Sequence, residues 1–257
     1  MNQLKDQLKD QLKNQLKLKG HKYLMDTKKI AACLEKSEGT LTMCADNNIA
    51  GSALVSDFTV KIGYSGVNLA VKSTLAGFNE GQFEALLAAS DIISVGNNLP
   101  AFDEVVSEIS GMLPDDNKVR RFFFDFSNSE MDEESMAHTI KGLSYLNGKT
   151  PITLCFNNVD MAGGVEAVRE TMGLDEIVVH TPHYMAASSA SRGSGRFDRV
   201  QPVKNEGAAF NGGYIVATMA GLGVSERLYI GNAATIFFAA NGRAPSRVEL
   251  KNLIKTL

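Results

Sequence analysis

The sequence predicts an α/β protein built on a mostly parallel sheet with helices on both faces. Three observations carry that prediction. Runs of consecutive apolar residues recur along the chain, as in residues 121–126 (RFFFDF) and 152–156 (ITLCF). Stretches of helical period separate them, as in residues 131–146. Strands without a polar face must be covered on both sides, which parallel sheets achieve through helical crossovers. The chain has 257 residues, 44% of them hydrophobic, enough for one large core.

The elements follow in order. Residues 1–20 repeat a short unit, QLKD, QLKD, QLKN, QLKL, with leucines at Leu4, Leu8, Leu12 and Leu16. That spacing keeps the leucines on one slowly drifting helix face, so this segment reads as a separate solvated helix ended by Gly20. Residues 21–257 read as a single domain. Asp26 is placed to cap a short helix opening at Thr27. Residues 40–44 read as a strand. Residues 52–65 alternate loosely (Val55, Phe58, Val60, Ile62, Tyr64), as a hairpin or edge strand would. Helices are predicted over 83–89, 102–112, 131–146 and 159–172, the third capped by Ser129 or Asn128. Strands are predicted over 91–95, 121–126, 152–156 and 176–180. Gly193-Ser194-Gly195 marks a turn. Helices over 208–222, 226–240 and 247–257 close the chain.

Bulk properties narrow the function classes. The formal net charge of −3 offers no broad footprint for nucleic acid. The cysteines, Cys33, Cys44 and Cys155, have no paired or metal-like spacing and read as reduced thiols, with Cys155 as packing in an apolar strand. No apolar run is long enough to cross a bilayer, and the N-terminus has no apolar signal core. The expected setting is soluble and cytoplasmic, without a membrane partner.

In open α/β sheets, ligands bind beyond the C-terminal ends of the strands. Those ends are polar here: Gly96-Asn97-Asn98, Asp125-Phe126-Ser127, Asn157-Asn158 and His180-Thr181. A small-molecule site is therefore expected. Asp125 could approach a magnesium ion or a sugar, or cap a turn. His180 and His183 are three apart, a weak metal signal, and a structural role is expected. The acidic cluster 130–134 suits a helix start. Lys118, Arg120 and Arg121 read as solvated charges leading into a strand.

Gly207-Ala208-Ala209-Phe210-Asn211-Gly212-Gly213-Tyr214 resembles the second signature of the ribokinase-like (PfkB-type) carbohydrate kinases, in which a G-A-G-D turn opens a helix beginning near F-N-x-G-[FY]. Thr153-Leu154-Cys155-Phe156-Asn157-Asn158-Val159-Asp160 is similar to the family's T-L-x-L-N-x-x-E motif. Gly231-Asn232-Ala233-Ala234 and Gly242-Arg243-Ala244-Pro245-Ser246 resemble its closing region. The resemblance is good from about Ser90 onward. It implies a ribokinase-like sheet with the strands near 40–65 as a small β lid. It also implies ATP and Mg²⁺, and phosphoryl transfer to a sugar or nucleoside hydroxyl. In this register Gly207, Asn211 and Asn232 fall on the nucleotide side. Asn157 and Asp160 take the places that help hold magnesium and phosphate, with Asp160 as the metal residue.

The departures matter as much. Ala208 stands where the family has its catalytic aspartate, Asn205 where it has its first glycine, and Glu206 at the middle position. A methyl group cannot accept a proton, and loss of a placed general base costs about 10²–10⁴-fold in rate. Glu206 is the nearby substitute base, but it lies two residues upstream and should point elsewhere on a tight turn. The family's early G-G-x-x-x-N sugar motif has no counterpart, so the first βα units are expected to be missing. Exposed sheet edge would then favour self-association into a homo-oligomer. Two readings stand: a sugar kinase of impaired activity, or an inactive kinase fold kept for binding or regulation, or surviving as a fragment.

Overall fold

The computed structural model describes residues 25–36, 39–44, 59–62, 80–96, 102–126, 133–157, 164–198 and 207–255. The QLK repeat, Asn128 and Ser129 lie outside them. The chain order is α1 (Thr27–Lys36), β1 (Thr40–Cys44), β2 (Thr59–Ile62), α2 (Glu80–Ala89), β3 (Ile92–Gly96), α3 (Phe102–Gly111), β4 (Arg121–Phe126), α4 (Glu133–Leu146), β5 (Ile152–Asn157), α5 (Val165–Met172), β6 (Glu176–His180), β7 (Tyr184–Ser189), β8 (Gly193–Asp198), α6 (Gly207–Met219), α7 (Val224–Asn241) and α8 (Arg247–Lys255). Asp26 caps α1 as expected, its carboxylate accepting the Lys29 amide at 2.9 Å.

The strands form one eight-stranded sheet in the order β2-β1-β3-β4-β5-β6-β7-β8. Pairing is parallel from β2 through β6, and antiparallel at β6–β7 and β7–β8. The expected α/β class with a mostly parallel sheet is observed. Two local expectations are corrected. Of the two readings for 52–65, β2 takes the edge strand and not the hairpin: β1 pairs in parallel with both β2 and β3, so the described strands of 40–65 extend the main ladder and β2 forms its edge. A parallel pair cannot be closed by a tight turn. Gly193-Ser194-Gly195 is likewise strand rather than turn. The reversal lies at residues 190–192, between the paired Ser189 and Gly193. Gly193, at φ +77°, supplies the left-handed conformation that lets a three-residue loop rejoin the strand.

Helices cover both faces because the apolar strands alternate their side chains between two cores. On one face Leu87, Phe102, Val106, Ile109, Leu143 and Leu146 pack over Ile93, Phe122, Phe124, Leu154 and Ile177. On the other, Phe123, Cys155, Val178, Met185 and Phe197 meet Phe210, Tyr214 and Leu228 of α6 and α7. Ile30 and Leu34 of α1, with Leu250 and Ile254 of α8, close the outside of that layer.

The helices α6 and α7 cross closely. A methyl group at Gly213 would lie 2.9 Å from both Ala234 Cβ and the Ile230 carbonyl oxygen. Beneath this crossing sits a buried ion pair. Arg227 Nη1 donates to Glu176 Oε2 at 2.7 Å, with the side chains 2% and 0% exposed. Tyr214 donates to the other carboxylate oxygen at 3.1 Å, and Arg227 Nε holds the Leu222 carbonyl at 2.8 Å. Burial, then the negative charge of Glu176, hold the Tyr214 hydroxyl far above the usual phenol range.

The basic residues before β4 are not solvated as expected. Arg120 is 4% exposed. Its guanidinium donates to the Leu87 and Ala88 carbonyls, both at 2.8 Å, and Lys118 Nζ donates to the Ala89 carbonyl at 2.7 Å. The pair therefore caps the C-terminus of α2, whose last carbonyls lack helical partners and whose dipole favours cations. Asp116 locks the guanidinium from outside at 2.6 and 2.7 Å. Arg121 donates to Thr153 Oγ1 at 2.9 Å.

Candidate functional site

Two contacts set the direction of α6. Tyr214 reaches Glu176 at the start of β6, and Phe210, one turn earlier, stacks on His180 at its end. The helix therefore runs opposite to the parallel strands, and Gly207 and Ala208 lie toward the C-terminal ends of β5 and β6. A third contact fixes the lateral position: Cys155 Sγ donates to Asn211 Oδ1 at 3.1 Å, across the sheet–helix interface. Cys155 is buried as expected, but it also orients this amide.

These contacts place an α-helix of 13 residues with its N-terminus at the strand ends. The first amides of a helix lack intrahelical acceptors and carry the positive end of the helix dipole. Gly207 and Ala208 are both half-buried, so this end is reachable rather than sealed. Such an end suits phosphate or carboxylate oxygens. Ala208 offers its backbone there and no side chain that can take a proton.

The remaining candidates sort by depth. Asn157 ends β5, in register with His180. Asn211 and Asn232 are wholly buried, beneath the helix end and along α7. Asp125, the penultimate residue of β4, is buried and shares the register position of Cys155 on the same face of the sheet. Asn205, Glu206 and Asp160 lie outside the described residues. Among the described residues, no group of three His, Cys, Asp or Glu side chains could hold a metal ion. His180 and His183 do not share a ligand site, because His180 is buried and His183 is exposed. The turn between them is tied by Thr181, whose hydroxyl oxygen accepts the amides of His183 and Tyr184 at 3.1 and 3.0 Å.

Sequence reasoning missed how Phe210 is held. Its ring lies 4.3 Å from the His180 ring, 28° from parallel. The same ring meets Gly231 of α7. The motif uses Phe210 only as a mark of register, and no local pattern pairs it with a histidine 30 residues upstream.

No protein-family model matches the chain, and no curated protein does. Solved structures give distant similarity. One is a microbiome-derived acarbose kinase, 10% identical, TM-score 0.47, with 89% of this chain and 85% of that one covered. Another is a pyrophosphate-dependent myo-inositol-1 kinase converted into a myo-inositol-3 kinase by two substitutions, 12% identical, TM-score 0.48, with 88% and 87% covered. At these identities and with TM-scores below 0.5, neither similarity carries a conclusion about this chain, whose fold and chemistry rest on its own residues. No described helix is long and apolar enough to cross a membrane.

Proposed function

We propose that the chain is a carbohydrate-kinase-type protein that binds ATP with magnesium and transfers phosphoryl groups to a sugar or nucleoside hydroxyl only weakly, because Ala208 has replaced the general base. One observation carries this reading. The helix that bears the F-N-G signature points its N-terminus at the C-terminal strand ends, with Gly207 and Ala208 in its first turn. A phosphate-holding turn needs that placement, and a bare sequence match does not ensure it.

The amides of Gly207 and Ala208, with the helix dipole, would stabilise the charge on the transferring group. By the family resemblance Asn157 and Asp160 would help hold magnesium and phosphate, and Asn211 and Asn232 would support the nucleotide from within the core. Magnesium would neutralise charge on the phosphate oxygens. Nothing at position 208 can remove the proton from the attacking hydroxyl. The protein is then a soluble, cytoplasmic nucleotide binder of impaired activity, and a purely regulatory binding role is the alternative.

The test is phosphoryl transfer from MgATP to a panel of sugars and nucleosides, comparing wild type with Ala208→Asp. Wild type should turn over very slowly. The aspartate should raise the rate by about 10²-fold or more. Ordinary kinase rates in wild type would sink the impaired-site reading. A thermal-shift measurement with MgADP tests the binding step alone, since a ligand of the native state raises its apparent stability.

A further inference from the structure

The nucleotide-binding reading needs two elements held at a set spacing: the first turn of α6 and the segment of α7 that carries Asn232. They meet at one side chain. Phe210, in the first turn of α6, is fully buried and stacked on His180, itself fully buried at the end of β6. The same ring lies against Gly231, the neighbour of Asn232. A methyl group there would fall 2.8 Å from Phe210 Cε2, 2.9 Å from Cδ2 and 3.1 Å from Cζ. Such distances are below any ordinary carbon–carbon contact, where the attraction is best near 3.5–4.0 Å. The ring thus touches both an imidazole on the sheet and a glycine on α7.

We propose that Phe210 is a positioning residue for this site. It is a wedge whose bulk, against both His180 and Gly231, sets the distance from the amides at the start of α6 to the Asn232 segment of α7. Gly231 is required because only hydrogen leaves room for the ring at that spacing. The inference rests on the nucleotide-binding reading and adds a specific mechanical cause for its geometry. A ligand bridging both helices feels a change in the wedge directly, and misplacements near 1 Å can cost about 10²-fold in rate.

The experiment is calorimetric titration of the full chain with MgADP, at a temperature where thermal melts show every variant folded. Gly231→Ala should weaken binding by about tenfold. The double variant Gly231→Ala/Phe210→Leu, which trades ring volume for the added methyl, should recover most of the loss. Gly213→Ala is the control. It crowds the same helix pair, against Ala234 Cβ, the Ile230 carbonyl oxygen and the Gly231 Cα, but no Phe210 atom is among its three nearest neighbours. Adding Phe210→Leu should not rescue any loss it causes.

If Gly231→Ala leaves the affinity unchanged in a protein that binds MgADP, the wedge is refuted while the binding reading survives. Equal rescue of Gly213→Ala by Phe210→Leu would show general helix separation and also refute the wedge. Should Gly231→Ala fail to fold, Phe210→Leu alone decides: unchanged affinity overturns the proposal, and a loss of about tenfold supports it. A wild type that binds no MgADP overturns the binding reading and this inference with it.

Discussion

Replacing Arg227 by methionine should destabilise the protein more than any single change at its surface. The guanidinium and the Glu176 carboxylate meet at 2.7 Å with almost no exposure. Removing one partner leaves the other charge in a medium that solvates it poorly. Breaking a buried pair in this way costs about 3–5 kcal/mol, against a total stability of about 5–15 kcal/mol for a typical domain. The loss should fall below that range's upper end, because Tyr214 still donates to the carboxylate at 3.1 Å. The Leu222 carbonyl also loses its donor, adding about 1 kcal/mol. Urea unfolding followed by circular dichroism measures the effect. The terms sum to about 4–5 kcal/mol, so with a slope near 3 kcal/mol per M the midpoint should drop by about 1.3–1.7 M. Glu176→Gln should cost a similar amount by stranding Arg227. The double variant, which buries no charge, should be more stable than the sum of the two losses predicts by at least about 2 kcal/mol. A midpoint shift under about 0.3 M for Arg227→Met, or strict additivity in the double variant, would refute the claim that this pair is a desolvated unit.

Other outcomes follow from the same reasoning. Arg120→Met should cost about 1–3 kcal/mol by removing donors from the Leu87 and Ala88 carbonyls, and hydrogen exchange should show the loss first at the end of α2. The acid response of α8 has a defined sign. Glu249 accepts both Arg243 Nη atoms, at 2.9 and 2.6 Å, and the Ser246 amide at 2.9 Å, while Ser246 Oγ accepts the Glu249 amide at 3.2 Å. This is a capping box with a guanidinium added, and chiefly the Arg243 bonds hold the Glu249 carboxyl down at about 2, from a usual value of 4.5. A lowered folded value means that the contribution is complete above pH 4.5 and fades as pH falls toward 2. Limited proteolysis of the C-terminal tail should therefore accelerate over that interval, and Glu249→Gln should abolish the pH dependence.

How much of this was legible in the sequence can be seen element by element. The strand over 121–126 and the one over 176–180 appear where their apolar runs place them. A five- or six-residue run bounded by polar residues is a local signal. The antiparallel hairpin over 184–198 is not legible in the sequence because β7 ends in four small residues, AASS, and exposed β8 has no apolar periodicity, so neither stands out without its partner. The motif register around Phe210-Asn211-Gly212 was legible, and with it the alanine at position 208. The stacking of Phe210 on His180 was not.

The sequence by itself determined the class of fold, the order of most helices and strands, and the absence of a proton acceptor at position 208. Each depends on residue identity or on periodicity within a few turns of chain. Tertiary structure decided that residues 40–44 and 59–62 extend the main sheet, because ladder partners lie tens of residues away. It decided that Arg120 is a helix cap, since the carbonyls it serves are over 30 residues upstream. It also decided that the start of α6 faces the strand ends, through Cys155, His180 and Gly231 acting on one short turn of helix. Contacts between segments distant in sequence are selected by packing and desolvation of the whole core, and no local pattern encodes them.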